Sequence, residues 1–91
     1  MSKSERFDKF HQENPHVYKR LVDMARTVKA RGHNTYSMWA LYSALAFEVD
    51  TKHDGDKYKL NSHYIPYYSR LIMNLESDLR GFFSIRRLRS A

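Results

Sequence analysis

Apolar residues recur along this chain with helical spacing, interrupted at a few points by turn-forming residues. Ser2 with Glu5 has the spacing of a capping box, and Phe7 and Phe10 follow three apart on one face. This predicts a short first helix over about 4–12. Asn14-Pro15 marks the next start, with asparagine as N-cap and proline at the first helical position, where its missing N–H costs nothing. Val17, Leu21, Met24 and Val28 then fall at i, i+4, i+7 and i+11, widened by Tyr18, Val22 and Ala25. Lys19, Arg20, Asp23, Arg26, Thr27 and Lys29 take the opposite side, and Gly32 suits the position just past the end. The second helix is therefore amphipathic, over about 15–31, with a basic outer face.

From His33 to Phe47 the chain carries no Lys, Arg, Asp or Glu, and the only tryptophan, Trp39, lies in this run. Ser37 is placed to cap a helix, and Tyr36 and Leu41 are spaced as a hydrophobic staple. Between Met38 and Phe47 only Ser43 interrupts the apolar residues. A helix apolar on all sides is ordinarily the central one. Trp39, Leu41, Leu45 and Phe47 are accordingly expected in the core, contacting Leu21, Met24, Tyr64, Leu71 and Phe83. The run is much shorter than the ~20 apolar residues that span a bilayer.

The central helix is expected to end near 48–50, before a polar loop with an Asp54-Gly55 turn signal. A hairpin pairing about 48–53 with 56–60 competes with that assignment, but alternation before His53 is poor. Lys57-Tyr58-Lys59-Leu60 alternates as a short strand does, and Asn61 or Ser62 can cap the next helix. In that helix Tyr64, Tyr68, Leu71 and Leu75 form the expected inner stripe, beside Ile65 and Ile72. Tyr67, Ser69, Arg70 and Asn74 are left outside, and Pro66 must fall in the first turn. Residues 82–88 read as a second strand, pairing with 57–60 because a lone strand is unstable. The expected fold is mainly α: a compact four-helix domain with a small two-stranded antiparallel sheet, winged-helix-like. All 91 residues form one domain, with 89–91 as a loose tail.

Charge adds a functional direction. Formal charge is +4 over residues 1–32, −3 over 33–56 and +5 over 57–91. Both ends are thus basic, and if they meet in space they form a nucleic-acid footprint. A helix beside a small basic sheet is how winged helix-turn-helix domains hold DNA, with the helix in the major groove and the wing on phosphate. On this reading Arg70 and Asn74 face bases. Arg86, Arg87 and Arg89 on the strand, with Lys19 and Arg26 on the second helix, face the phosphates of duplex DNA. An equally ordinary account makes the terminal arginines protection for a strand edge.

Seven tyrosines support a different reading, since tyrosine favours half-wet interfaces. Here the chain is a protein-interaction module, and Tyr67 is the candidate exposed contact. Enzymatic activity is the least favoured class. No nucleophile motif, phosphate-binding glycine loop or dinucleotide fingerprint is present. There is no cysteine, and the five histidines form no ligand pair on one helix, so neither a metal nor another cofactor is expected. The acidic residues at 50–56 lack the ligand spacing of a calcium loop. Without an apolar stretch after the N-terminal residues, the expectation is a soluble, cytoplasmic chain.

Three segments, Asn14-Pro15-His16-Val17-Tyr18, Lys59-Leu60-Asn61-Ser62-His63-Tyr64 and Arg80-Gly81-Phe82-Phe83 through Leu88, resemble a group of small phage- and prophage-encoded proteins with no assigned activity. The resemblance covers about 14–90. It implies a phage setting, in which small proteins regulate genes or bind and disable host complexes. The group's helix after Lys-Leu-Asn is commonly richer in arginine, whereas this chain has Ile65 and Tyr67 there. That departure leaves protein interaction beside DNA binding.

Overall fold

The computed structural model describes residues 2–52 and 60–83. They form four α-helices: α1 (Lys3–Glu13), α2 (Pro15–Ala30), α3 (Met38–Lys52) and α4 (Ile65–Leu75). Short 3-10 turns at Ser62–Tyr64 and Ser77–Leu79 precede and follow α4. Helices α2, α3 and α4 contact one another pairwise, and α1 lies against α2.

Local chemistry sets the helix ends. The capping box forms: the Glu5 amide donates to Ser2 Oγ at 3.2 Å and the Ser2 amide to Glu5 Oε1 at 3.2 Å. Pro15 occupies the first turn of α2. Asn14 does a different job from the N-cap expected of it, since its side chain caps no α2 amide. Its Nδ2 and its backbone N–H instead both donate to the Phe10 carbonyl, at 3.0 and 2.9 Å, closing α1. One residue thus ends α1 and begins α2 without a linker. At the other end of α2, Gly32 adopts φ 102°. The Gly32 amide donates to the Lys29 carbonyl and His33 to Val28, which is the Schellman pattern that glycine permits. Ser37 caps α3 through the Ala40 amide, at 3.3 Å.

The core gathers Val17, Leu21, Val22 and Ala25 from α2, Met38, Leu41, Tyr42 and Leu45 from α3, and Tyr68, Ile72 and Met73 from α4. Leu79, Phe82 and Phe83 close one end and Phe7 another. Phe7 does this with its ring. It meets Tyr68 edge-on at 4.8 Å between centroids and stacks on Tyr67 at 5.2 Å. Phe10 adds a contact with Tyr64 at 4.8 Å. Aromatic pairs in such geometries add ~0.5–1.5 kcal/mol beyond their buried area, enough to dock a short end helix.

Several expectations fail. Among the described residues there is no strand, so the winged-helix sheet is unsupported. Most of the pairing expected between 57–60 and 82–88 lies outside the described residues. Phe83, which is described, forms an isolated parallel bridge with Tyr36 instead, and the Tyr36 amide donates to the Phe82 carbonyl at 3.0 Å. The chain after α4 therefore returns to the start of α3. The hairpin alternative over 48–53 fails as well, because α3 continues to Lys52.

The inner face of α4 is rotated from the expected stripe. Tyr68, Ser69, Ile72 and Met73 are buried, while Leu75 is 62% exposed. Tyr68 and Ile72 suit two neighbouring arcs of α4, and packing against α2 and α3 turns Ser69 and Met73 inward and Leu75 outward. Ser69 tolerates burial because its hydroxyl donates to the Ile65 carbonyl at 3.0 Å. Trp39 and Phe47 are the largest departure: both point outward, 62% and 67% exposed. Trp39→Ala is therefore expected to change stability by no more than about 1 kcal/mol, as surface substitutions do, whereas Ile72→Ala should cost ~2–5 kcal/mol. Thermal melts of the two variants check this ordering.

Candidate functional site

Of the described residues expected to hold DNA, Arg26 is engaged by carboxylates, and Lys19 stands on a different helix from Arg70 and Asn74. On α2, Arg26 places its guanidinium between two carboxylates, with Nε 3.0 Å from Asp78 and Nη2 2.8 Å from Glu76. Lys29 Nζ donates to the Asp78 backbone carbonyl. Arg20 makes a two-point pair with Glu48 of α3, at 2.6 and 3.1 Å. Tyr18 donates its hydroxyl to Glu76 at 2.7 Å. Burial and that hydrogen bond push the Tyr18 pKa well above its usual value. The basic face of α2 thus works largely as a clasp, joining α2 to α3 and to the segment after α4.

Lys19 is exposed on α2, and Arg70 and Asn74 are exposed one turn apart on α4. Arg86, Arg87 and Arg89 lie outside the described residues. Tyr67, expected as an exposed protein contact, is half-buried beneath Phe7. Much of the tyrosine content is spent internally: Tyr64, Tyr67 and Tyr68 all meet the Phe7 ring. Among the described residues no three His, Cys, Asp or Glu side chains gather as a metal site, and no helix is long and apolar enough to cross a membrane.

The outer face of α3 is different. Successive residues of a helix turn by about 100°. Met38, Leu41, Tyr42, Leu45 and Val49 fall on one arc and are buried. Trp39, Ala40, Ser43, Ala44 and Phe47 fall on the opposite arc, and all are exposed. Four residues separate Trp39 from Ser43 and Ser43 from Phe47, so the two rings stand one turn to either side of a small-residue centre. None of these five carries a charge. Two solvent-facing aromatics on one side of a helix form a small apolar patch of the kind that can serve as an interaction site. The sequence held the signal, since the whole run is apolar. Assigning it all to the core overlooked that a helix with two helical neighbours keeps a third side open.

Comparison with protein-family models, with curated proteins and with solved structures finds no match to this chain.

Arg26 holds the Asp78 carboxyl below its usual pKa, chiefly by hydrogen bonding. A carboxylate depressed in the folded state contributes stability in full above its unfolded value, and that contribution is lost as pH falls through the lowered one. Arg26→Met should therefore lower the melting temperature at neutral pH, and the gap from wild type should close as pH drops below the ordinary carboxylate range. Melts across an acid pH series test this.

Proposed function

We propose that this chain is a protein-interaction module whose contact surface is the outer face of α3. The observation that carries the reading is the exposure of Trp39 and Phe47 on one side of α3, in a run from His33 to Phe47 without Lys, Arg, Asp or Glu. Interface cores are depleted in charge and enriched in aromatic residues, and a few buried aromatic anchors supply most of the binding energy. Ala40, Ser43 and Ala44 between the rings let another backbone come close. In a phage setting, as the resemblance implies, such a face suits a component of a host complex.

Binding of duplex DNA is the second reading, favoured by the exposure of Arg70 and Asn74 on successive turns of α4 and by the net charge of +6. Two features weigh against it. Arg26 and Lys29 are engaged by Asp78, and Arg20 by Glu48. A cation already paired must give up its carboxylate or carbonyl partner before it can neutralise a phosphate and release the DNA's condensed counterion, so its net gain is small.

A photo-crosslinking residue placed at Phe47 should yield discrete protein adducts in cells, while the same residue at Arg70 should not. Once an adduct's partner is purified, Phe47→Ala should weaken its binding by about 30-fold, equivalent to ~2 kcal/mol. On mixed-sequence duplex, fluorescence anisotropy over a salt series should show only weak association. Tight binding with a steep log–log salt slope, reduced by about one unit in Arg70→Ala, would support the DNA reading instead.

A further inference from the structure

Resting on the assignment of α3 as the contact surface, we infer that the occupant of that face is a second copy of this chain, two α3 helices packing antiparallel about Ser43. A two-fold contact requires that where residue i of one copy meets residue j of the other, j also meets i. Trp39 lies four residues before Ser43 and Phe47 four after it. With Ser43 on the axis, Trp39 of each copy falls beside Phe47 of the other, and this happens twice. Ala40 and Ala44 lie between the rings, so each large side chain of one copy has small residues of the other to pack over. A face with both rings at one end would lack this self-match.

Electrostatics allow the pairing here. The chain is cationic overall, at +6, yet residues 33–47 hold no Lys, Arg, Asp or Glu. Asp50, three residues past Phe47 on the same side of α3, is opposite Tyr36 of the other copy in this register, so no two like charges are set against each other. Antiparallel packing also sets the positive end of each helix dipole beside the negative end of the other. The backbone geometry agrees with a serine at the crossing. Helices pack ~8–10 Å apart between axes, and each Cα lies ~2.3 Å from its own axis, so Cα atoms facing across the two-fold stand ~3.5–5.5 Å apart.

Area sets the strength. A fully buried aromatic removes ~150–250 Å² from water, so four rings already about one-third covered supply roughly 500 Å² between them. Ala40, Ser43 and Ala44 of the two copies add less than the rings do, which leaves the total below the ~1,200 Å² at which standard specific interfaces begin. The pairing is accordingly a reversible one, with dissociation in the micromolar range or weaker.

Two properties of the chain make the test direct. It has a single tryptophan, which sits in the proposed contact, and it has no cysteine. Sedimentation velocity from ~10 μM to ~1 mM should move from one chain to two, with Trp39 emission shifting to shorter wavelength over the same range. Phe47→Glu should retain the wild-type circular dichroism and stay monomeric; should it fail to fold, Ser43→Arg serves the same purpose. Ser43→Cys should oxidise to a covalent dimer, because its facing Cα separation overlaps the ~4.4–6.8 Å that a disulfide spans, while Arg70→Cys should not. A wild-type chain that remains monomeric with unchanged emission overturns the self-pairing. If Phe47 then still crosslinks to a different protein, the contact face stands and only its occupant changes. A dimer that survives in folded Phe47→Glu overturns the pairing through α3, and crosslinking at Phe47 decides the contact face separately. A dimer sensitive to Phe47→Glu in which Ser43→Cys does not crosslink overturns the register about Ser43.

Discussion

Three helices in mutual contact can cover only part of one another. In the triangle of α2, α3 and α4, each helix touches two others and keeps the rest of its circumference outside. For α2 this is harmless, because its outer side carries Lys19, Arg20, Asp23, Arg26 and Thr27. For α3 it is not, because the sequence supplies apolar residues in every direction from Met38 to Phe47. Close packing then decides which residues go inward. Leu41 and Leu45 lie one turn apart, with Met38, Tyr42 and Val49 beside them, and these build the core. Trp39 and Phe47, on the far arc, are left largely exposed by the described helices.

Much of the chain's polar and aromatic material meanwhile serves internal joints. Phe7 draws Tyr64, Tyr67 and Tyr68 around it and so fixes α1 to α4. Arg26, Glu76, Asp78, Lys29 and Tyr18 fasten α2 to the segment that follows α4. The Tyr42 hydroxyl donates to the Asn61 carbonyl at 2.9 Å, holding α3 to the segment that starts α4. These joints change the functional balance. Arginines that appear free for phosphate, and tyrosines that appear free for a partner, are taken up in holding elements together. Exposed ion pairs contribute little stability singly, but a shared network fixes geometry better than isolated pairs do.

The parts of the fold legible in the sequence are those governed by neighbours in the chain. The Ser2–Glu5 box, Pro15 in the first turn of α2, Ser37 as cap and Gly32 in its left-handed conformation all form from local bonds. The α2 stripe was legible too, since Val17, Leu21, Val22 and Ala25 are buried where the spacing puts them. What depended on distant segments was not. Phe82 and Phe83 suit a strand by composition, but what buries them is the core beside Tyr36. Tyr68 and Ile72 fit either of two neighbouring arcs of α4, and contact with α2 and α3 settled which one faces inward. For the candidate site, hydrophobicity marked α3 as important without showing which arc of it would face water.

Leaving Trp39 and Phe47 outside brings the isolated fold no advantage. Polar residues at these positions would fit the same helix, and a surface free of apolar patches resists non-specific association. Buried apolar area is worth roughly 25 cal/mol per Å², so covering two half-exposed rings on each of two copies releases on the order of 10 kcal/mol before the costs of association. Those costs are themselves ~4–15 kcal/mol, which makes the net small and the contact reversible. A binder of only the folded chain stabilises it by mass action, so the stability of this domain rises with the concentration of whatever closes α3. If that is the chain itself, folding and pairing are linked through one helix, whose inner arc makes the core and whose outer arc makes the dimer.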